Sequence, residues 1–155
     1  MTDTYFQPFG HLQYDWDIRN VRGEDIPFIY SSWLESYAST WDVKKSTFMK
    51  EYRYVIDEFL GNSHVLVACK KDEHDVVFGY LVADFVAPII HYCYVKEVFR
   101  KQGIAKSLFK LKVTPTFTIT HRTSIAKKIL NREAFKDVTY NPFLLFNRGE
   151  VHAQN

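Results

Sequence analysis

The sequence predicts a single α/β domain in which a central mixed, mostly antiparallel sheet is flanked by helices. The length of 155 residues is typical of one domain. Hydrophobic residues make up 46% and charged residues 25% of the chain, which is enough apolar surface for a globular core. Strand-like and helix-like patterns follow one another in the order βααβββαβαβ. No repeat or linker divides the chain, so residues 1–155 form one predicted domain with its core at about 14–146.

The N-terminal part of the chain predicts one strand and two helices. Residues 14–21 alternate between polar and apolar side chains, as a strand does. Residues 24–37 predict a helix, with Asp25 as the expected cap and Pro27 in the first turn, where its missing N–H costs little. Residues 45–60 repeat apolar side chains at helical spacing and predict a second helix.

The central part predicts three antiparallel strands. Residues 64–69 and 76–85 are apolar runs on either side of a polar turn, which is typical of a hairpin. Residues 89–95 continue the meander as a third strand, and a short helix is expected over about 103–112.

The C-terminal part completes the predicted sheet. Residues 116–121 favour a strand and residues 124–135 a helix. Residues 138–146 favour one strand, or two short strands broken at Asn141-Pro142.

Charge is distributed unevenly along the chain. Residues 1–95 carry eight basic and fourteen acidic side chains, whereas residues 96–155 carry twelve and four. A basic C-terminal part suggests a polyanionic partner, either a phosphorylated cofactor or a nucleic acid, and the alternative is a solvated basic face. A nucleic-acid partner is not favoured, because aromatic residues are not interleaved with the cations.

The two cysteines and the N-terminus bear on the compartment. Cys69 and Cys93 form no CxxC pair, so neither a zinc site nor a redox dithiol is predicted, and buried free thiols suit a reducing compartment. The N-terminal residues lack the pattern of a signal peptide, and no apolar run approaches 18 residues. We expect a cytoplasmic protein without a membrane segment.

Residues 94–109, "YVKEVFRKQGIAKSLF", carry the clearest functional signal. A predicted strand leads through a turn into a helix whose first N–H groups have no partners within the helix. Gly103 allows a ligand to approach the backbone, and Arg100 and Lys101 add positive charge. The pattern is typical of a phosphate site, and the alternative is an ordinary turn with surface cations.

The same stretch resembles the acetyl-CoA-binding motif of the GNAT superfamily of N-acetyltransferases, which has the form V-x-x-x-x-[RQ]-x-x-G-x-[GA]. Val95, Arg100, Gly103 and Ala105 fill this motif without a gap. The predicted order of elements over residues 14–146 is also similar to that of the superfamily. The compact, aromatic-rich chain also resembles small phage-type members.

A second GNAT pattern, N-x-x-A-x-x-x-Y-x-x-x-G-F, is similar to residues 123–135. Ala126 and Phe135 match this pattern. The chain departs from it at Thr123, Leu130 and Ala134, where the family pattern has Asn, Tyr and Gly. The Tyr of that pattern usually acts as the general acid, which leucine cannot do.

The resemblance implies that acetyl-CoA is the cofactor, with its pyrophosphate on the turn and its pantetheine arm along the backbone near Tyr94 and Val95. The acetyl group would lie where strands 89–95 and 116–121 diverge. The implied cofactor-binding residues are Val95, Arg100, Lys101, Gln102, Gly103, Ile104 and Ala105.

Acetyl transfer to an amine requires a base, and His91 is the candidate that titrates near neutral pH. Strand alternation predicts that His91, Cys93 and Val95 share one face. A similar histidine in arylalkylamine-type members of the superfamily favours His91. The alternatives are a histidine of the core or the surface, and Glu97 as a weaker candidate base.

The general acid is left open by the sequence. Tyr94, Tyr140 and Cys93 are the candidates for this role because Leu130 cannot donate a proton.

Trp33, Tyr37 and Trp41 lie in the region that covers the acceptor site in the family, and they would suit an aromatic or cationic amine. The spacing of Trp33 and Tyr37 equally suits a buried helical face. The predicted activity is direct acetyl transfer to a small-molecule or protein amine. The alternative is a weakly active or inactive binding module that engages a partner protein. A homodimer is left open.

Overall fold

The computed structural model describes residues 15–84, 86–110, 116–123, 126–128, 131–132 and 135–144. A six-stranded sheet crosses the molecule, and its strands lie side by side in the order of the chain. The strands are β1 (Trp16–Asn20), β2 (His64–Lys70), β3 (Glu73–Asp84), β4 (Ile89–Val95), β5 (Thr118–Ile119) and β6 (Thr139–Tyr140). The helices are α1 (Ile26–Tyr37), α2 (Lys45–Asn62) and α3 (Ile104–Lys110). Short 3-10 turns cover Gly23–Asp25, Ala38–Thr40 and Glu97–Phe99.

The sheet is antiparallel from β1 to β4 and parallel from β4 through β5 to β6. This confirms the predicted fold class of a mixed, mostly antiparallel sheet with flanking helices. The predicted bounds of β4 are those observed. The last two strands are shorter than predicted: β5 covers two residues of the expected 116–121, and β6 two of the expected 138–146.

Alternation along the strands gives the sheet two apolar faces. Val65 and Val67 of β2 pack with α1 and α2, where Ile29, Trp33 and Phe59 are buried. The intervening strand residues face α3 and form a second cluster with it. The strands contribute Leu66, Ala68, Phe78, Leu81 and Ile90, and α3 contributes Ile104 and Leu108. Helices therefore cover both faces, as the fold class requires.

The segment before α1 corrects the expected helix cap. The Asp25 side chain makes no capping bond to α1. Its carboxylate instead accepts hydrogen bonds from the Arg19 guanidinium at 2.7 and 2.9 Å and from the Arg22 N–H at 2.7 Å. Asp25 thus joins the start of the helical layer to β1. Pro27 lies in the first turn of α1, as predicted.

Much of the predicted helix at 124–135 lies outside the described residues. Residues 126–128 are helical, in agreement with the prediction. Leu130, which replaces the family's usual general acid, lies outside the described residues. In the part of the chain that is described, no helix is long and apolar enough to cross a membrane.

Candidate active site

A β-bulge in β4 determines where the candidate base lies. Val82 of β3 pairs with Tyr92, whereas the next residue, Ala83, pairs with Ile90, so His91 is the extra residue of β4. The imidazole of His91 stacks on Phe59 of α2 with ring centroids 4.3 Å apart, and it is 1% exposed.

The bulge makes one sequence-based prediction wrong. Cys93 and Val95 pack with the α3-side cluster, on the opposite face from Phe59. His91 therefore does not share a face with Cys93 and Val95, because the extra residue interrupts the alternation on which that prediction depended.

β4 and β5 diverge directly beside this bulge. Their pairing consists of Ile89 with Thr118 and Ile90 with Ile119. One further bond, from the Thr120 N–H to the Ile90 carbonyl at 3.1 Å, closes the paired region. The rest of β4, from His91 to Val95, has no partner strand on this side among the described residues. The pairing thus ends at Ile90 and Ile119. We call the unpaired side of His91–Val95 the opening, and His91 and Thr120 lie at its paired end.

A chain of side-chain hydrogen bonds runs outward from His91. The Nδ1 atom of His91 lies 3.1 Å from the Thr120 hydroxyl, which lies 2.8 Å from Nδ1 of His121. The Nε2 atom of His121 is hydrogen-bonded to the Tyr52 hydroxyl. We call these four residues the polar chain. It connects the bulge of β4, the end of β5 and the middle of α2.

Aromatic rings enclose the polar chain. His121 contacts the ring of Tyr37 at 4.9 Å and that of Trp33 at 5.3 Å between centroids. Trp33 in turn stacks on Tyr92 at 4.4 Å. Trp33 has no exposed surface, so it supports the enclosure from within, as the alternative reading of its spacing predicted. Trp41 lies outside, 48% exposed, with its ring 5.9 Å from that of Tyr52.

Burial determines the charge state of the polar chain. Loss of solvent, and then the proximity of His91, lower the pKa of His121 to about 3, so its imidazole is neutral at neutral pH. Burial raises the pKa of Tyr52 above its ordinary value of 10.0, so its phenol keeps its proton. The His121–Tyr52 end of the polar chain is therefore a neutral donor–acceptor pair in an apolar enclosure.

One side-chain hydrogen bond and two positive φ angles fix the shape of the turn after β4. Arg100 donates from Nε to the carbonyl of Val95 at 2.8 Å, and its guanidinium lies 5.8 Å from the centre of the Tyr94 ring. Lys101 and Gly103 both have positive φ, of 64° and 93°. These two conformations direct the backbone of the turn into the start of α3.

The N–H groups of residues 101–105 donate no hydrogen bond to any described residue. A Cβ atom added to Gly103 would meet nothing within 4 Å, so the turn borders open space. Ile104 is 1% exposed and anchors α3 in the core, so it offers the site its backbone alone. Lys101 and Gly103 are exposed, and Gln102 and Ala105 are half-buried. The arrangement presents backbone donors beside two cations, which suits an anion.

The other sequence-based candidates are spread over the surroundings of β4. Glu97 is exposed in a 3-10 turn, away from the bulge. Tyr94 packs between Phe28 and Tyr80 on the face of the sheet that α1 and α2 cover. Tyr140 is 40% exposed on β6, and burial raises the pKa of the Cys93 thiol to about 12. These groups do not converge on His91.

Sequence reasoning missed Tyr52, Thr120 and His121. The signal for Thr120 and His121 was a pair of polar residues that directly follow an apolar strand, in "TFTITH". Tyr52 fits the apolar spacing that predicts α2, and nothing in that spacing points to a hydrogen bond with a residue 69 positions later.

No family model and no curated protein matches the sequence significantly. Solved structures do match. The apo form of YjaB from Escherichia coli has a TM-score of 0.51 and 19% identity, over 68% of this chain and 70% of that protein. A proposed acetyl transferase from Pyrococcus furiosus has a TM-score of 0.50 and 14% identity, over 88% of this chain and 91% of that protein.

A third structure, the PaiA N-acetyltransferase of Thermoplasma acidophilum in complex with coenzyme A, has a TM-score of 0.46 and 18% identity, over 63% of this chain and 69% of that protein. That TM-score is too low to support an argument about this chain. The first two structures show that the chain shares its fold with these proteins, one of which is described as an acetyl transferase. Neither is described as a phage protein, so the phage-type expectation has no support.

Proposed function

We propose that this protein is an acetyl-CoA-dependent N-acetyltransferase that moves an acetyl group to a primary amine by direct transfer in a ternary complex. The observation that carries the proposal is the turn after β4, whose backbone N–H groups donate to no described residue, next to the opening between β4 and β5. The fold, shared with acetyltransferases, and the motif through Val95, Arg100, Gly103 and Ala105 support the same activity.

The turn would hold the pyrophosphate of the cofactor. The N–H groups of residues 101–105 provide donors, and the positive φ of Gly103 lets the backbone approach the phosphates without a side chain in between. Arg100 and Lys101 supply positive charge. The bond from Arg100 to the Val95 carbonyl keeps this guanidinium beside the turn.

The pantetheine arm would lie along the part of β4 that has no partner strand on the β5 side. Tyr94 and Val95 are the residues of β4 that lie next to the turn. The acetyl group would then reach the opening beside His91. The amine nitrogen attacks the acetyl carbonyl carbon, the C–S bond breaks, the nitrogen loses one proton and the thiolate gains one.

The acceptor would bind on the α1 and α2 side of the opening. Trp41 presents the exposed aromatic surface there, Tyr52 and then Tyr37 pack in succession behind it, and Trp33 is fully buried. An aromatic or cationic amine suits these rings. Among the acid candidates, Tyr94 and Tyr140 remain, whereas the raised pKa of Cys93 makes its thiol a poor proton donor.

Calorimetric titration with acetyl-CoA tests the cofactor site. We expect micromolar binding to the wild type and none to the double variant Arg100→Ala, Gly103→Glu. The matched control is Arg22→Ala, Gly23→Glu, which makes the same charge change at an exposed arginine and an unobstructed glycine elsewhere. Absence of binding to the folded wild type would reject the proposal, as would equal binding to both double variants.

The direct route is tested separately by mass spectrometry after mixing with acetyl-CoA. We expect the protein to keep its unmodified mass. Detection of an acetyl group on Cys93 would contradict direct transfer and indicate a covalent intermediate.

The burial of His91 favours a second candidate function, a weakly active or inactive binding module with the same fold. A base that is 1% exposed makes slow turnover understandable. This candidate predicts that acetyl-CoA binds but that tyramine, putrescine or a lysine-containing peptide raises the release of CoA thiol little or not at all above the rate without an acceptor. A strong acceleration of thiol release by any of the three amines rejects it.

A further inference from the structure

We propose that the polar chain of His91, Thr120, His121 and Tyr52 is a proton relay that carries the proton lost by the acceptor nitrogen out of the opening between β4 and β5. The proposal rests on the proposed acetyltransferase function. It assigns roles to Tyr52, Thr120 and His121, which lie outside the motif that suggested that function.

The first support is continuity. Each of the three links joins atoms that both donate and accept protons: His91 to Thr120 at 3.1 Å, Thr120 to His121 at 2.8 Å, and His121 to the hydroxyl of Tyr52. Thr120 and His121 are adjacent in sequence, yet the side chains of both belong to the polar chain. Hydroxyl and imidazole groups are the side chains best suited to pass a proton on, because each can release one proton as it takes up another.

The second support is that two arrangements of protons satisfy every link. In one, His91 donates from Nδ1 to Thr120, Thr120 donates to Nδ1 of His121, and His121 donates from Nε2 to the Tyr52 oxygen. In the other, Tyr52 donates to His121, His121 donates to Thr120, and Thr120 donates to His91. Every group is neutral in both arrangements. Conversion of the first into the second takes up one proton at Nε2 of His91 and releases one from the Tyr52 hydroxyl.

The third support is the enclosure. His91 is 1% and His121 8% exposed, and the rings of Trp33, Tyr37 and Phe59 surround His121. An ion stored inside this enclosure would be costly. The low pKa of His121 and the high pKa of Tyr52 agree with a chain that stays neutral. A neutral chain moves a proton by exchanging hydrogen bonds, without a lasting buried charge.

The proposal places the two ends of the relay at His91 and at Tyr52. His91 is the extra residue of the bulge, at the paired end of the opening. Tyr52 is half-buried, next to the exposed Trp41. As the new N–C bond forms, Nε2 of His91 takes the proton of the acceptor nitrogen, directly or through one water. The chain converts to the second arrangement, and the Tyr52 hydroxyl gives its former proton to solvent. The C–S bond breaks, and the thiolate takes a proton from solvent or from the general acid.

The test uses single-atom changes that keep the shape of each side chain. Tyr52→Phe removes the outer hydroxyl, and Thr120→Val replaces the central hydroxyl by a methyl group. Thr120→Ser keeps the hydroxyl and is the conservative rescue. Tyr54→Phe is the control, because Tyr54 lies on the same helix, is 69% exposed and takes no part in the chain. The assay measures thiol release from acetyl-CoA with tyramine, putrescine and a lysine-containing peptide, together with solvent deuterium isotope effects.

We expect Tyr52→Phe and Thr120→Val each to lower kcat about a hundredfold with KM nearly unchanged. Loss of either hydroxyl interrupts the relay completely. The double variant Tyr52→Phe, Thr120→Val should therefore be no slower than either single variant. Thr120→Ser should recover most of the kcat that Thr120→Val loses. A plot of the wild-type kcat against the deuterium fraction of the solvent should be curved, because several protons move in the same step. The same plot should be straight for Tyr52→Phe and for Thr120→Val.

The outcomes separate the two proposals. If acetyl-CoA binds and thiol is released, but Tyr52→Phe and Thr120→Val keep the wild-type kcat, the relay is rejected and the acetyltransferase function stands. A loss of kcat that Thr120→Ser does not restore would also reject the relay, because it would report packing. If the wild type releases no thiol with any acceptor, the proposed function fails, and the relay fails with it.

Discussion

The turn after β4 and the polar chain are the two halves of the candidate site, and they are built in opposite ways. The turn is contiguous in sequence, exposed, and offers backbone N–H groups. The polar chain combines side chains from α2, β4 and the end of β5, and it is enclosed by the aromatic core. The turn therefore should contribute little to stability, whereas the surroundings of the polar chain are part of what holds the fold together. Substitutions can test this division.

The largest effect is expected at Trp33. Its ring is fully buried and stacks on Tyr92 and Phe59 at 4.4 and 5.9 Å. Trp33→Ala should lower the free energy of unfolding by about 3–5 kcal/mol, because it leaves a cavity in the core. Urea denaturation monitored by far-UV circular dichroism measures this. The matched control is Trp41→Ala, at the 48% exposed tryptophan. A similar loss in both variants would contradict the division.

An intermediate effect is expected from pH, through His121. Its pKa is about 3 in the folded protein against an ordinary value of 6.5, so between these values the unfolded chain binds more protons than the folded one. Stability is then complete above about pH 6.5 and falls as the pH is lowered toward 3. At pH 5 the loss should be about 2 kcal/mol.

Urea denaturation at pH 7 and pH 5 checks this, with His121→Gln as the reference. The difference between the two pH values should be smaller in His121→Gln than in the wild type by about 2 kcal/mol. Asp25 acts in a different window, because its pKa is lowered from 3.8 and its contribution is lost only below that value. An unchanged pH dependence in His121→Gln would mean that His121 is not buried as a neutral group.

The smallest effects are expected in the turn. Lys101 adopts a positive φ of 64°, which costs a residue with a side chain about 1 kcal/mol relative to glycine. Lys101→Gly relieves this strain but makes the unfolded chain more flexible, so stability should rise by about 0.5 kcal/mol or less. Gly103→Ala should lower it by about 1 kcal/mol, since φ is 93° there although no atom obstructs the new methyl group.

Thermal unfolding of these two variants against the wild type measures both signs. Opposite signs would show that the turn holds strained backbone conformations in the absence of a ligand. A gain from Gly103→Ala would mean that the turn relaxes to an ordinary conformation once a side chain is present.

The two halves also differ in how far the sequence could predict them. The turn was found because Arg100, Gly103 and Ala105 lie within six residues, and their spacing alone describes the local backbone. The bounds of β4 were predicted because an apolar run follows Ala87-Pro88. The orientation of His91 was not predicted, because a bulge arises from the pairing of two strands, and no pattern within one strand reports it.

The polar chain depends on contacts that are distant in sequence. Tyr52 meets His121 because α2 and the end of β5 pack on the same face of the sheet, and that follows from the arrangement of the whole domain. Asp25 is a local example of the same limit. Its position before a helix favoured a cap, but the nearby Arg19 of β1 binds its carboxylate. In both cases a tertiary partner determined what a local pattern left open.

The order of the strands in the sheet has a consequence for biosynthesis. Because each strand lies next to its neighbour in the chain, every addition to the sheet joins the strand made just before it. We expect β1 to β4 and the turn to assemble before Thr120 and His121 have been made. A nascent chain that ends before Thr120 would then already present the turn after β4, yet contain only His91 and Tyr52 of the polar chain. Under the proposed function, ligand recognition would precede chemical competence during synthesis, so an incomplete chain would bind the ligand without using it.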